Sequence, residues 1–274
     1  MVGALKDLDA LLDMIVLVLL SAYVRDAKPV SLLIIAHPES GKTEVMRKFA
    51  VNKNVAYLSD VTAYGIQRDY LNAIEAGEVR HIMIPDLLKP LSRKESTVNT
   101  FITFMNSLIE EGVAAVSTYA TPRLVFPKPV KCGLIAAITS DEFKDHRHKW
   151  KRLGFLSRTI PFSYSYGMQT VNKVFQYIIG LDYIKEHDIK LDLPQEDKVI
   201  KLPRKYAQAI LPSTATVARA QETYGFRLQK QFQALLQASA LESHRRIVNK
   251  TDVDRVLRLM DWVNEDEKPI AGGS

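Results

Sequence analysis

Cysteine is nearly absent: Cys132 is the only one in 274 residues. No intrachain disulfide can form and no cysteine-rich metal site exists, which suits a reducing, cytoplasmic setting. The six histidines are scattered, and no pair has metal-ligand spacing on a clear helix face. Membrane-length apolar runs are missing as well. Met14 to Leu20 is apolar, but Asp7, Asp9 and Asp13 precede it and Arg25-Asp26 follow. It is too short to cross a bilayer and lacks the flanks of a signal peptide, so it reads as a buried core helix. Internal repeats and low-complexity tracts are also lacking. What is present is 47% hydrophobic and 25% charged residues, the composition of a soluble globular protein. The length suits one large domain, or a large and a small one. A net charge of +6 and a pI near 9.2 permit a polyanionic partner without requiring one.

One stretch organises the rest. Ser31-Leu-Leu-Ile-Ile-Ala36 is a short apolar run, His37-Pro38-Glu39-Ser40-Gly41-Lys42-Thr43 is a loop ending in Gly-Lys-Thr, and Glu44 to Ala50 is helix-prone. Strand, loop and helix in this order form the P-loop pattern, with Ala36 where the first glycine usually stands. Backbone N–H groups of such a loop, backed by a helix N-terminus, make a concave cage for phosphate oxygens, so His37 through Glu44 are the candidate nucleotide-binding residues. Gly41 permits close approach, Lys42 would reach the β- and γ-phosphates of ATP, and the Thr43 hydroxyl would take a place on Mg²⁺. Ala36 carries a steric cost wherever the loop needs φ > 0.

Around this motif the chain alternates strands and helices. Residues 3 to 25 read as one helix, with Leu5, Leu8, Leu11, Leu12, Ile15, Val18 and Leu19 recurring at three and four. Residues 54–58 read as a strand and 67–76 as a helix. His81-Ile-Met-Ile84-Pro85-Asp86 then reads as an apolar strand ending in an acid, the Walker B pattern that holds Mg²⁺ and orients the attacking water. The usual Asp-Glu ending is missing. Either Asp86 is the metal-side acid with Leu87 in the place of the catalytic glutamate, or Pro85 replaces the first acid and Asp86 takes the second place. Residues 95–111 read as an amphipathic helix and 112–120 as a strand. Thr121 to Lys131, with Arg123, Lys128 and Lys131, reads as a basic hairpin or loop, either a solvated turn or a contact for a nucleic-acid backbone. Gly133 to Ile138 is a buried strand ending in Thr139-Ser140, where a γ-phosphate or water contact is expected. Arg158 precedes another apolar strand; a guanidinium there suits the spread charge of a phosphoryl transition state in a neighbouring subunit, or an ordinary ion pair. After Gly167 helical patterns dominate, over residues 171–186, 203–222 and 226–245, and in a last helix with Thr251 as the expected N-cap.

The order of these motifs resembles an AAA+ ATPase, and most the branch of the minichromosome maintenance (MCM) helicases. The resemblance rests on Ala36 to Thr43, the strand to Asp86, Ala136-Ala137-Ile138-Thr139, Leu156-Ser157-Arg158 and the C-terminal helix pair 232–241 and 248–256. It implies an α/β domain with a central parallel sheet at 1–167, a small all-helical lid domain at 168–266 and a disordered tail at 267–274. It implies a homo-oligomeric ring, a hexamer, with ATP between subunits. Thr139 would be the first sensor, Arg158 the finger on the next subunit's ATP, and Arg227, or Lys230 near it, the second sensor. The resemblance covers an ATPase core alone, which fits a separate protein partner that supplies the target.

Two functions follow. The first is an ATP-hydrolysing motor or loader acting on DNA, in replication or in a mobile element or virus. The second is an ATP-dependent assembly switch or remodelling ATPase with slow hydrolysis and a protein partner, which the thinned Walker B favours. A polypeptide-gripping chaperone fits less well, since no aromatic–glycine pore loop is read. Glu39, Asp60, Asp141 and Glu142 are the candidates to make up for the missing acid.

Overall fold

A computed structural model describes residues 8–118, 121–181, 187–267 and 269–270. The first helix, α1 (Asp9–Ser21), stops before Arg25, the expected end, where the Ser21 hydroxyl turns back to Val18 O and accepts from Val30 N at 2.8 Å; residues 3–7 of that expectation lie outside the described residues. The central strand β1 (Leu32–Ala36) is buried along its whole length, as a parallel strand covered on both faces must be. It is followed by α2 (Lys42–Lys48), β2 (Val55–Tyr57), α3 (Ala63–Asp69), α4 (Leu71–Glu75) and β3 (His81–Ile84). Next come α5 (Leu88–Leu91), α6 (Glu95–Asn106) with a π-helical turn at Ser107–Glu111, and an antiparallel hairpin of β4 (Val113–Thr118) and β5 (Thr121–Val130). The segment 121–131, expected as a basic hairpin or loop of its own, is instead largely the single strand β5 paired with β4; residues 119–120 lie outside the described residues. The α/β part closes with β6 (Gly133–Ile138), α7 (Ser140–Arg152) and β7 (Ile160–Tyr166).

The sheet order is β2-β3-β6-β1-β7-β8, where β8 is Pro269–Ile270, with every pairing parallel. Alternate side chains of β1 enter opposite layers. Leu32, Ile34 and Ala36 pack with α1, α2 and the C-terminal helices; Leu33 and Ile35 pack with α3 to α7 and the hairpin. The result is a sheet between two helical layers.

Beyond β7 lie α8 (Met168–Ile179), α9 (Arg204–Ala209), α10 (Leu211–Ala220), α11 (Phe226–Glu242) and α12 (Lys250–Met260). Phe232, Leu235 and Leu236 of α11 and Val253 and Val256 of α12 share one core with α1 and the β1 face. Arg255 of α12 fastens this layer by ion pairs to Asp13 of α1 and Glu242 of α11. The N-cap of α12 is Asn249 rather than Thr251: its side chain accepts from Thr251 N at 2.9 Å, and Asp252 returns a bond to the Asn249 N–H at 2.8 Å.

The C-terminal segment differs from the expected disordered tail. Pro269–Ile270 forms β8 against Ser165 and Tyr166 of β7, and Ile270 is buried. A hydrophobic residue that finds a sheet edge orders the chain before it; residues 268 and 271–274 lie outside the described residues.

Candidate nucleotide site

The carboxyl ends of three adjoining strands meet at one place. β6 lies between β3 and β1, so Asp86, Thr139 and the loop after Ala36 stand side by side. Ligands of open parallel sheets bind outside such strand ends. Ala36 itself is extended, buried and part of β1, so the missing glycine costs nothing there. The left-handed positions are Glu39, at φ 59°, and Gly41, at φ 83°. Alternating hands turn successive N–H groups inward, the geometry of an anion nest. Gly41 is free to adopt this; at Glu39 an L-residue bears a strain of about 1–2 kcal/mol.

The loop is tied down from inside and outside. Ser40 Oγ donates to His37 O at 2.7 Å. Tyr164 and Tyr166 of β7 both donate to Ser40 O, at 2.9 and 2.7 Å. Lys42 folds over the loop, and its ammonium donates to Ala36 O at 2.7 Å, His37 O at 2.5 Å and Ser40 Oγ at 3.2 Å. Burial lowers its pKa to about 8, against the upward pull of Glu267 and then Asp86. Thr43 and Glu44, in the first turn of α2, are exposed, as are His37, Pro38 and Glu39.

At the end of β3, Leu87 is fully buried and its N–H donates to Ala137 O at 2.8 Å. Asp86 is the acid on the Lys42 side; its Oδ1 accepts from Leu88 N at 3.1 Å. Thr139 is the extended residue ahead of α7 and is partly exposed.

Comparison with models of known protein families and with characterised proteins finds no match for this chain.

Two of the expected site residues lie elsewhere. Arg158 precedes β7, whose Ile160 is in register with Leu32 at the start of β1. Its guanidinium donates to Gly154 O at 2.8 Å and Glu111 Oε1 at 2.9 Å. Arg227 is beside it, 3.2 Å from Ser157 Oγ and 3.7 Å from Glu110. Both therefore sit at the amino end of the sheet, one strand length, about 17 Å, from the loop after β1 of their own chain. Arg227, expected at the nucleotide as the second sensor, is thus not brought together with the loop after β1 of its own chain. Arg158, Arg227, Lys28 and Lys230 line a cavity of about 360 Å³ with Asp26 and Glu110.

The four acids proposed to compensate do not converge on Lys42. Asp60 pairs with Arg93 at 2.7 Å, Asp141 faces Lys144 at 3.4 Å, Glu142 faces His146 at 3.8 Å, and Glu39 is exposed on the loop. The acid that does converge is Glu267, in the segment expected to be a disordered tail. One carboxylate oxygen lies 2.7 Å from His37 Nε2, and the other accepts from the Ser140 hydroxyl. An aromatic–glycine segment was also missed: Tyr224 and Phe226 flank Gly225, stack at 5.8 Å and are 91% and 74% exposed.

Proposed function

We propose that the chain is an ATP-binding P-loop ATPase of the AAA+ kind, that its copies assemble into a ring, and that it acts on DNA as a motor or loader. The observation that carries this reading is the anion nest at the end of β1, with Lys42 inside it and Asp86 and Thr139 on the next strand ends. Phosphate oxygens of ATP fit a loop whose turns at Glu39 and Gly41 gather N–H donors around a buried ammonium. Thr43 and Asp86 are the residues that would hold Mg²⁺. One hydroxyl and one carboxylate suffice for an ion that keeps several waters and takes its other oxygens from phosphate. When bound, the ion neutralises charge on the transferring phosphoryl group.

Ring assembly is supported by Arg158 and Arg227. At the far end of the sheet they cannot serve their own loop, whereas a neighbouring copy could present its nucleotide to them. The helices of 168–266 are read as the lid. DNA as the partner is supported by the net charge of +6 and by Arg123 and Lys128, which are exposed on β5 and make no ion pair among the described residues. A second reading, a slow assembly switch with a protein partner, is favoured by the buried Leu87, which leaves Asp86 as the lone acid at the end of β3.

The test is ATP turnover with and without single- and double-stranded DNA. The DNA motor requires stimulation by DNA, its loss in Lys128→Ala/Lys131→Ala, and no turnover in Asp86→Ala. Tight ATP binding without turnover, with or without DNA, favours the switch.

A further inference from the structure

We propose that Glu267 is the second carboxylate of this site, the group that takes the proton from the attacking water during ATP hydrolysis. The proposal rests on the ATPase reading above and names the residue that reading lacks.

Its position is the first argument. Glu267 bridges His37, the first residue after β1, and Ser140, the residue after Thr139. It thus spans the gap between the phosphate loop and the end of β6. It is also the leading charge acting on Lys42, ahead of Asp86. A carboxylate with a hydrogen bond from Ser140 on one oxygen and His37 close to the other retains lone pairs for a water.

Its anchoring is the second argument. A carboxylate that merely plugs an empty phosphate site should sit on a segment free to leave. This one is fixed on both sides. Ahead of it, Trp262 stacks on Phe162 at 6.0 Å and Val263 is buried. Ser163 Oγ lies 2.6 Å from both Asn264 Oδ1 and Asp266 O, and the buried Glu265 carboxylate lies 2.5 Å from Arg147 Nε. Behind it, β8 pairs with β7 and Ile270 enters the core. Releasing the segment would expose apolar surface and strand a buried acid. Glu267 is therefore a resident of the site, oriented by His37 and Ser140.

The step balances simply. A Glu267 oxygen accepts a proton from water as the water oxygen bonds to the γ-phosphorus. The bond from that phosphorus to the β–γ bridging oxygen breaks, and ADP keeps its electron pair. Glu267 then returns the proton to solvent.

The experiment compares the full chain with Glu267→Gln and Ser140→Ala. It measures binding of a fluorescent ATP analogue, phosphate release with and without DNA, and thermal melting. Glu267→Gln preserves shape, so nucleotide Kd should stay within about threefold while phosphate release falls by about 100-fold or more, the range for a lost general base. Ser140→Ala, which only loosens the carboxylate, should lower turnover by about tenfold with Kd unchanged. Wild-type turnover in Glu267→Gln overturns the proposal alone. So does tighter ATP binding with faster turnover, the signature of a displaced plug. If Glu267→Gln does not fold, Ser140→Ala decides: turnover at the wild-type rate overturns the proposal. A wild-type chain that neither binds nor hydrolyses ATP overturns the parent reading and this one with it.

Discussion

The hydroxyl of Tyr164 donates to the backbone carbonyl of Ser40 at 2.9 Å, across 124 residues of sequence. The bond is buried and holds the loop after β1 against β7. Tyr166 makes a second bond to the same oxygen at 2.7 Å. Tyr164→Phe keeps the buried ring and removes one donor. It should cost about 1 kcal/mol of stability and weaken ATP binding several-fold. The double variant with Tyr166→Phe leaves the carbonyl with neither donor, and its loss should exceed the sum of the two. Chemical denaturation and nucleotide titration of the three variants measure this coupling.

Glu39 is exposed and left-handed, at φ 59°. Glycine adopts that conformation without the steric penalty, though it also loosens the unfolded chain. Glu39→Gly should stabilise the protein by up to about 1 kcal/mol, and Glu39→Val, β-branched, should destabilise it. Melting of the two variants in one buffer gives the sign.

His81 of β3 and Gly133 of β6 are register partners with no room for a side chain at Gly133. A Cβ on Gly133 would lie 2.3 Å from the His81 ring and 3.0 Å from Val30 O. Gly133→Ala should therefore cost about 1–3 kcal/mol, and His81→Ala in the same chain should recover part of it. Burial holds the His81 pKa down at about 4, so the native state keeps the ring neutral while the unfolded chain protonates near pH 6.5. Between those values the unfolded state binds more protons, so stability falls as pH falls, by about 3 kcal/mol across the window. His81→Leu should flatten that part of the stability–pH curve.

Lys42 titrates from about 8 in the free protein. Phosphate favours the ammonium, so its pKa is higher in the complex. Between the two values binding requires proton uptake. ATP affinity should therefore weaken as pH rises above about 8, approaching a tenfold loss per unit. Titrations from pH 7 to 9.5 at constant Mg²⁺ measure the slope, and Lys42→Arg, charged throughout, should lack it.

Much of the strand–helix order was legible because central parallel strands are continuous apolar runs. Leu32–Ala36, His81–Ile84 and Gly133–Ile138 announce themselves in that way, and each is followed within two residues by a polar one at the candidate site, His37, Asp86 and Thr139. The helix read over 67–76 is broken at Tyr70 into α3 and α4, which local periodicity does not reveal. The site was legible only where its residues are consecutive. Glu267 was not, because Glu265-Asp-Glu-Lys268 looks like a solvated tail until β8 is seen to pair with β7. Nor does sequence order say which end of the sheet Arg227 reaches; that follows from the packing of α11 along α1.

The central claim is that the loop from His37 to Thr43 holds the phosphates of ATP. Equilibrium binding of a fluorescent ATP analogue, by the wild type and Lys42→Ala, tests it most directly. The account predicts saturable, Mg²⁺-dependent binding by the wild type and a loss of about 100-fold or more in Lys42→Ala, as expected for a buried charge-assisted contact. Equal binding by the two proteins, or none by either, would contradict it.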